Sequence, residues 1–522
     1  MNTAHLDFAR RAPLPFRRLA MGAVMTMWRR IMAMAVAATS LCAGGEATAQ
    51  TTPQAAAFAQ IDPVFATWMR EQNVPGLVYG VVVDGKLAYV RALGVRDVQT
   101  QAPVTPDTVF RIASMSKNFT ALAALKLRDE GKLAFDTPAE RYVPELAKWK
   151  YPTTDSPRIT VRDLLSHSAG FVTDDPWGDR QLDMAEADYT RFVAAGVPFS
   201  RATGTAFEYS NFGYALAGRV VTNVAGTNYA DYVDTSFLKP LGMTSTTYDQ
   251  ARAAVGRRAI GYRWEDGRWQ EEPSLGPGAF GAMGGLMTTA NDYARYVAWE
   301  LAAWPPRDGA DDPILRRASI REIARPQTYA NVQRRADPAG CDRASAYGLG
   351  TIAYSDCVLG QHFGHSGGLP GYGSNVLLLP QRGVGVFAFA NRTYAPASLV
   401  VRDAATLLVT SGAFPVRAAA PSPALLQMAE AAAQIYAAGD VEAARGALAM
   451  NVLLDRDAAH RNADIAALKT RLGACRAAEP IVTDTATSAT VRYPCERGTL
   501  QARLLLAPTT PASVQVLEFS AP

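Results

Sequence analysis

Apolar residues recur along the chain in two rhythms. In "YGVVVDGKLAYVR" (79–91) two β-rich runs flank Asp84-Gly85, a pair suited to the positive-φ turn of a hairpin. Further on come "YGLGTIAYS" (347–355), "HFGHSGG" (362–368), "SNVLLL" (374–379) and "GVGVFAFAN" (383–391), again β-rich with short turns. Sequential runs of this kind predict an antiparallel sheet built from both ends of one large region. Its middle follows the helical rhythm. In "SMSKNFTALAALKLRDEG", Met115, Phe119, Leu122 and Leu125 recur at helical spacing, and Gly131 ends the helix.

A Pro/Ala-rich stretch, "AFPVRAAAPSPA" (413–424), interrupts both patterns and reads as a linker. The predicted organisation is a large unit over 50–412, a linker over 413–423 and a small α+β unit over 424–522. The small unit opens with helical patterns at 424–450 and 463–472 and closes with the strands "ATVRYP", "TLQARLLLAP" and "SVQVLEFS". It shows no chemistry: His460 lies in a polar connector and reads as a solvated side chain.

The first 49 residues belong to neither rhythm. Arg29-Arg30 precede the apolar stretch "IMAMAVAATSLCA" (31–43), and Ala47-Thr48-Ala49 follow. That order is a secretory signal peptide cleaved near Ala49, too short to span a bilayer. Export to the periplasm or beyond is expected, with no stable membrane span afterwards. Across the chain 52 Lys and Arg face 48 Asp and Glu, a formal net charge of +4. The leader holds six Arg against Asp7 and Glu46, so the mature chain is formally neutral and lacks the basic excess that nucleic acid requires. Four cysteines remain after cleavage, and in an exported protein proximity favours Cys341–Cys357 and Cys475–Cys495 pairs.

Two serines compete as nucleophile. Gly364-His365-Ser366-Gly367-Gly368 fits G-x-S-x-G, the esterase elbow. An elbow needs strand, sharp turn, helix, and then an acid and a histidine. Gly367, Gly368, Pro370, Gly371 and Gly373 follow instead, and the only later histidine is His460. Ser114-Met115-Ser116-Lys117 offers S-x-x-K at the start of an apolar helix. Residues i and i+3 share a face, so Lys117 can approach the Ser114 hydroxyl, and burial lowers its pKa enough to accept a proton. Ser236-Phe237-Leu238-Lys239 matches as well, but Pro240 stops its helix.

Downstream lie Tyr209-Ser210-Asn211 and His365-Ser366-Gly367. With "SMSK", the ordered set "YSN" and "HSG" resembles the serine hydrolases related to class C β-lactamases, D,D-peptidases and β-lactamase-like esterases. Flanking phrases such as "ITVRDLLSHSAGF" and "GAMGGLMTTANDYARY" are similar too, and the resemblance covers roughly 60–400. Tyr329-Ala330-Asn331 is a rival Y-x-N without a helix behind it. The resemblance implies an α/β (α+β) β-lactamase/transpeptidase-like fold: an antiparallel sheet flanked by helices, plus a helical subdomain.

It also implies the roles. Ser114 attacks a carbonyl and forms an acyl-enzyme. Lys117 and Tyr209 share the proton transfers, with a nearby ammonium favouring phenolate, and which of them is the base stays open. Asn211 holds a substrate amide or the Lys117 head. His365, Ser366 and Gly367 line the substrate, and the Ser114 and Gly368 backbone N–H groups form the oxyanion hole. Where relatives carry the lysine of K-T-G, this chain has His365, only partly charged near neutral pH. That departure favours an esterase or peptidase over a strong β-lactamase. His167, in "LLSHSAG", reads as structural. A metal site on His362 and His365 fails because i and i+3 on a strand face opposite ways. No metal or cofactor is expected, and the partner is a small-molecule or peptide-like substrate. The rival of another class is a non-catalytic binding module using the same pocket.

Overall fold

The computed structural model describes residues 52–253, 255–276, 278–334 and 342–522. The expected leader and Cys341, with its expected pairing to Cys357, lie outside the described residues.

A nine-stranded antiparallel sheet forms the centre. Its order is Ala102–Pro103, Lys86–Asp97, Gly76–Val83, Val384–Ala390, Tyr372–Leu379, Gly360–Leu369, Ile352–Asp356, Arg343–Tyr347 and Thr328–Gln333. The two ends of the large region meet inside it, where Gly76–Val83 pairs with Val384–Ala390. All eight residues of Gly76–Val83 are buried, as a continuous apolar run demands when both faces of a sheet are covered. Helices Pro53–Glu71 and Ala397–Thr410 pack one face. The mostly helical region between 113 and 301 packs the other, through a core that includes Phe119, Tyr214, Tyr293 and Phe389. The fold is mixed α and β, with a large antiparallel sheet and helices on both sides.

The Asp84-Gly85 hairpin forms with φ 49° and 79° at its two turn residues. The run "YGLGTIAYS" divides: Tyr347 closes one strand and Ile352 opens the next. Gly348 and Gly350 cause the break. A Cβ on Gly348 would lie 2.0 Å from the Ile323 carbonyl oxygen, and Gly350 takes φ 74° against the backbone of Lys117.

Beyond 424, a separate buried cluster runs from Leu425 to Leu517. Its four-stranded antiparallel sheet adds Val482–Thr485 to the three strands read from the sequence. That strand is short and mostly exposed, so it has no apolar alternation to betray it. His460 sits in the first turn of helix Ala458–Leu472 and not in a connector. Asp457 caps that helix through the His460 N–H and also meets His460 Nδ1 at 2.7 Å, which starts the helix before its apolar pattern does. Cys475 and Cys495 form a disulfide. Among the described residues no helix is long and apolar enough to cross a membrane.

Candidate active site

Strand, sharp turn and helix do occur together, at Ser114. Strand Phe110–Arg111 leads to Ala113 at φ 49°, and the tight turn Ala113–Met115 runs into helix Ser116–Asp129. Such left-handed backbone at a non-glycine residue is strained and is sustained by its surroundings. Ser116 Oγ donates to the Ala113 carbonyl at 2.7 Å and accepts from the Leu286 N–H at 3.0 Å. Ser366, by contrast, sits within strand Gly360–Leu369, exposed, and its side chain has no hydrogen-bond partner among the described residues.

Lys117 is fully buried on the first turn of the serine helix. Its Nζ lies 2.9 Å from Ser114 Oγ, 2.7 Å from Asn211 Oδ1 and 2.9 Å from the Met283 carbonyl oxygen. Asn211 Oδ1 and the carbonyl can only accept. They hold two N–H groups, so on loss of a proton the lone pair of the amine is left facing the Ser114 hydroxyl. Burial pushes the Lys117 pKa down to about 8, against the charges of Asp175, Asp179 and Asp174, which hold it up.

Asn211 opens helix Asn211–Ala225, and its side chain is spent on this network. Nδ2 donates to Asp175 at 3.1 Å and to Asp179 at 3.3 Å. Of the two roles the sequence left open for it, the geometry matches a holder of the Lys117 head: the residue is fully buried and both ends of its amide are occupied. Asp174 accepts from the Asn211 and Phe212 N–H groups at 2.6 and 2.8 Å, a carboxylate on a helix N-terminus.

Tyr209 packs beside Lys117, whose Nζ is 4.9 Å from the ring centroid. Burial, followed by the charge of Asp175, pushes its phenol well above the usual range, while a hydrogen bond with Ser114 pulls the other way. The expected phenolate is therefore not favoured: the acids that surround Lys117 also surround Tyr209, and the phenol keeps its proton. His167, at φ 56°, accepts from the Ser210 N–H through Nδ1 at 3.1 Å and lays its ring 4.2 Å from that of Tyr209. It braces the Tyr209 loop. Tyr209→Phe keeps this stacking and removes only the phenol hydroxyl. Turnover is expected to fall about 10²–10⁴-fold with the melting temperature unchanged, as steady-state kinetics and calorimetry would measure.

Strand Gly360–Leu369 passes directly against the serine turn. A Cβ on Gly367 would lie 2.3 Å from both the Ile112 carbonyl oxygen and Ser374 Oγ, and one on Gly368 would lie 2.8 Å from the Tyr394 ring. Gly367→Ala is expected to cost about 1–3 kcal/mol by overpacking and to lower activity, because the strand must move off Ile112. Thermal melts and turnover of the variant check this.

His365 is buried and neutral, not partly charged. Burial, then the Lys117 charge, push its pKa down to about 3. Nδ1–H donates to the Ser366 carbonyl, and Nε2 accepts from the Tyr347 hydroxyl at 2.9 Å. No fixed cation occupies this position. His362 is tied to the Gly360 carbonyl at 3.0 Å, and no His/Cys/Asp/Glu group among the described residues could hold a metal. The rival motifs stand apart. Tyr329 and Asn331 lie on the edge strand Thr328–Gln333, and Lys239 pairs with Asp234 at 2.9 Å.

Several contributors escaped the sequence reading. The carboxylates were legible as the acid-rich run "DDPWGD" (174–179), but its link to Lys117 passes through Asn211 and only the fold supplies it. Met283 acts through its carbonyl, which leaves no side-chain signal. Tyr347 and Tyr394 lie far from any motif.

A family model described as Beta-lactamase matches residues 61–411. The chain therefore belongs to the Beta-lactamase family, the β-lactamase-related serine hydrolases. Among curated relatives, Esterase EstB of Burkholderia gladioli is 30% identical over 394 residues, 68% of this chain and 97% of EstB. Protein flp of Staphylococcus aureus (strain N315) is 28% identical over 340 residues, 64% of this chain, and the match spans only 62% of flp. Among solved structures, the octameric penicillin-binding protein homologue from Pyrococcus abyssi superposes with a TM-score of 0.56 at 21% identity, over 88% of this chain and 95% of that one.

Proposed function

We propose that the protein is an exported serine hydrolase that cleaves an ester or a peptide-like amide through an acyl-enzyme on Ser114. The observation that carries this is the 2.9 Å contact between Lys117 Nζ and Ser114 Oγ, with the other two Lys117 contacts made to acceptors. Neutral Lys117 takes the Ser114 proton as Oγ attacks the substrate carbonyl. The oxyanion rests on the Ser114 and Gly368 N–H groups. The bond to the leaving group then breaks, and that group takes a proton relayed from Lys117 through the Tyr209 phenol. Water repeats the sequence, giving its proton to Lys117, attacking the acyl carbon and releasing Ser114. In this reading Lys117 is the base and protonated Tyr209 the donor, because burial lowers one pKa and raises the other.

An esterase is favoured over a β-lactamase or D,D-peptidase. Neutral His365 offers no permanent charge for a β-lactam or peptide carboxylate, and the match to EstB runs along nearly all of that esterase. Export rests on the leader motif and is supported by the Cys475–Cys495 disulfide, since such bonds persist in oxidising compartments. Segment 424–522, with its own buried cluster, is read as an accessory domain. Rapid mixing with a para-nitrophenyl ester tests the mechanism. A burst of about one nitrophenol per protein, with an acyl mass on the Ser114 peptide, is expected. Turnover without burst or adduct under any quench condition contradicts it.

A further inference from the structure

A cavity of about 170 Å³ begins one residue beyond Gly368. Leu369 and Asp179 line it, and through them it abuts the site: Leu369 follows the proposed oxyanion residue, and Asp179 is bonded to Asn211. Two guanidinium groups also line it. Arg111 lies three residues before Ser114 on strand Phe110–Arg111 and is 6% exposed. Its hydrogen bonds go to neutral groups, the Leu275 carbonyl and Ser274 Oγ. Arg258 is half-buried, and its side chain makes no hydrogen bond or ion pair among the described residues. The two cations are close enough to repel each other.

Of the three carboxylates on the walls, Asp179 and Glu272 are engaged elsewhere. Asp179 accepts from Tyr394 at 3.0 Å and from Asn211. Glu272 accepts from Thr393 at 3.2 Å and lies 4.0 Å from Arg263. Glu271 is exposed at the rim. None forms an ion pair with Arg111 or Arg258. A buried guanidinium without a counter-charge is costly, and a planar fork of donors matches a carboxylate.

We propose that this cavity is a subsite for a carboxylate on the acyl part of the substrate, bound by Arg111 and Arg258. The inference rests on the serine-hydrolase reading above. The leaving group is protonated from the Lys117 and Tyr209 side, so the chain that continues past Gly368 is the acyl chain. The preferred substrates are then half-esters or amides of diacids, with the free carboxylate in the cavity.

The test compares two esters of one leaving group, para-nitrophenyl butyrate and mono(para-nitrophenyl) succinate, at pH 8. The wild type should favour the succinate in kcat/KM by about tenfold or more. Arg258→Gln should lower that ratio about tenfold, and Arg258→Lys should restore part of it. Arg111→Gln gives a second reading, and Ser114 labelling by a fluorophosphonate shows that each variant keeps its nucleophile. Free succinate should also inhibit butyrate hydrolysis competitively in the wild type, whereas neutral butyramide should not. This needs no variant to fold. Equal or lower kcat/KM for the succinate in the wild type, or a ratio unchanged in Arg258→Gln, overturns the subsite alone. No turnover of either ester, with Ser114 unlabelled, overturns the hydrolase reading and the subsite with it.

Discussion

Ser114→Ala is expected to abolish ester turnover, with kcat falling by about 10⁴-fold or more, the scale of losing a nucleophile from a working constellation. The fold should survive. The serine is only 7% exposed, but among the described residues its hydroxyl bonds only the Tyr209 phenol and Lys117, which keeps Asn211 and Met283. Ser366→Ala, made in parallel, should leave turnover within a few-fold of the wild type. Ser366 is exposed within a strand and touches neither the lysine nor the tyrosine by a hydrogen bond. Steady-state hydrolysis of a para-nitrophenyl ester by the two variants separates the two serines directly. An inactive Ser366→Ala with an active Ser114→Ala reverses the assignment.

Lys117 is expected to govern the pH dependence. Its pKa is pushed down to about 8, so the amine is mostly protonated at pH 6 and mostly neutral above pH 8. A base must be neutral to act, so kcat/KM is expected to rise with pH, by roughly 50-fold between pH 6 and pH 8, and to level off above. Lys117→Met should lower kcat about 10²–10⁴-fold and flatten the remaining profile. Asp175→Asn is the finer probe. Asp175 is the largest of the charges that hold the ammonium in place, and asparagine can still accept from Asn211 Nδ2. Removing that charge moves the midpoint below 8, because the ammonium loses support and releases its proton sooner. A midpoint that rises, or a profile that does not move, contradicts a lysine base set by these carboxylates.

The sheet was legible because its strands are apolar runs with short turns, and the serine helix because its apolar residues recur at 3.6 spacing. Motif order singled out Ser114 with Lys117, Tyr209 with Asn211, and His365, since each local setting could be checked: helix start, helix start again, and strand. What escaped depends on approach between distant segments. The split of "YGLGTIAYS" arises where Gly348 meets the backbone of Ile323, a residue from a separate helix end. The neutral state of His365 follows from burial and from the charge of Lys117, neither visible in "HSG". The protonated state of Tyr209 follows from burial and then from the charge of Asp175, which the fold brings beside it. Periodicity and motifs fix which groups are present, while charge states depend on partners that only the packed chain supplies.

Each proposed role follows from Ser114 being the nucleophile, and the first experiment is mass-spectrometric mapping of a fluorophosphonate adduct. The wild type and Ser366→Ala should each carry one adduct on the Ser114 peptide, and Ser114→Ala should carry none. An adduct on Ser366 that persists in Ser114→Ala would contradict the assignment of the nucleophile and the roles derived from it.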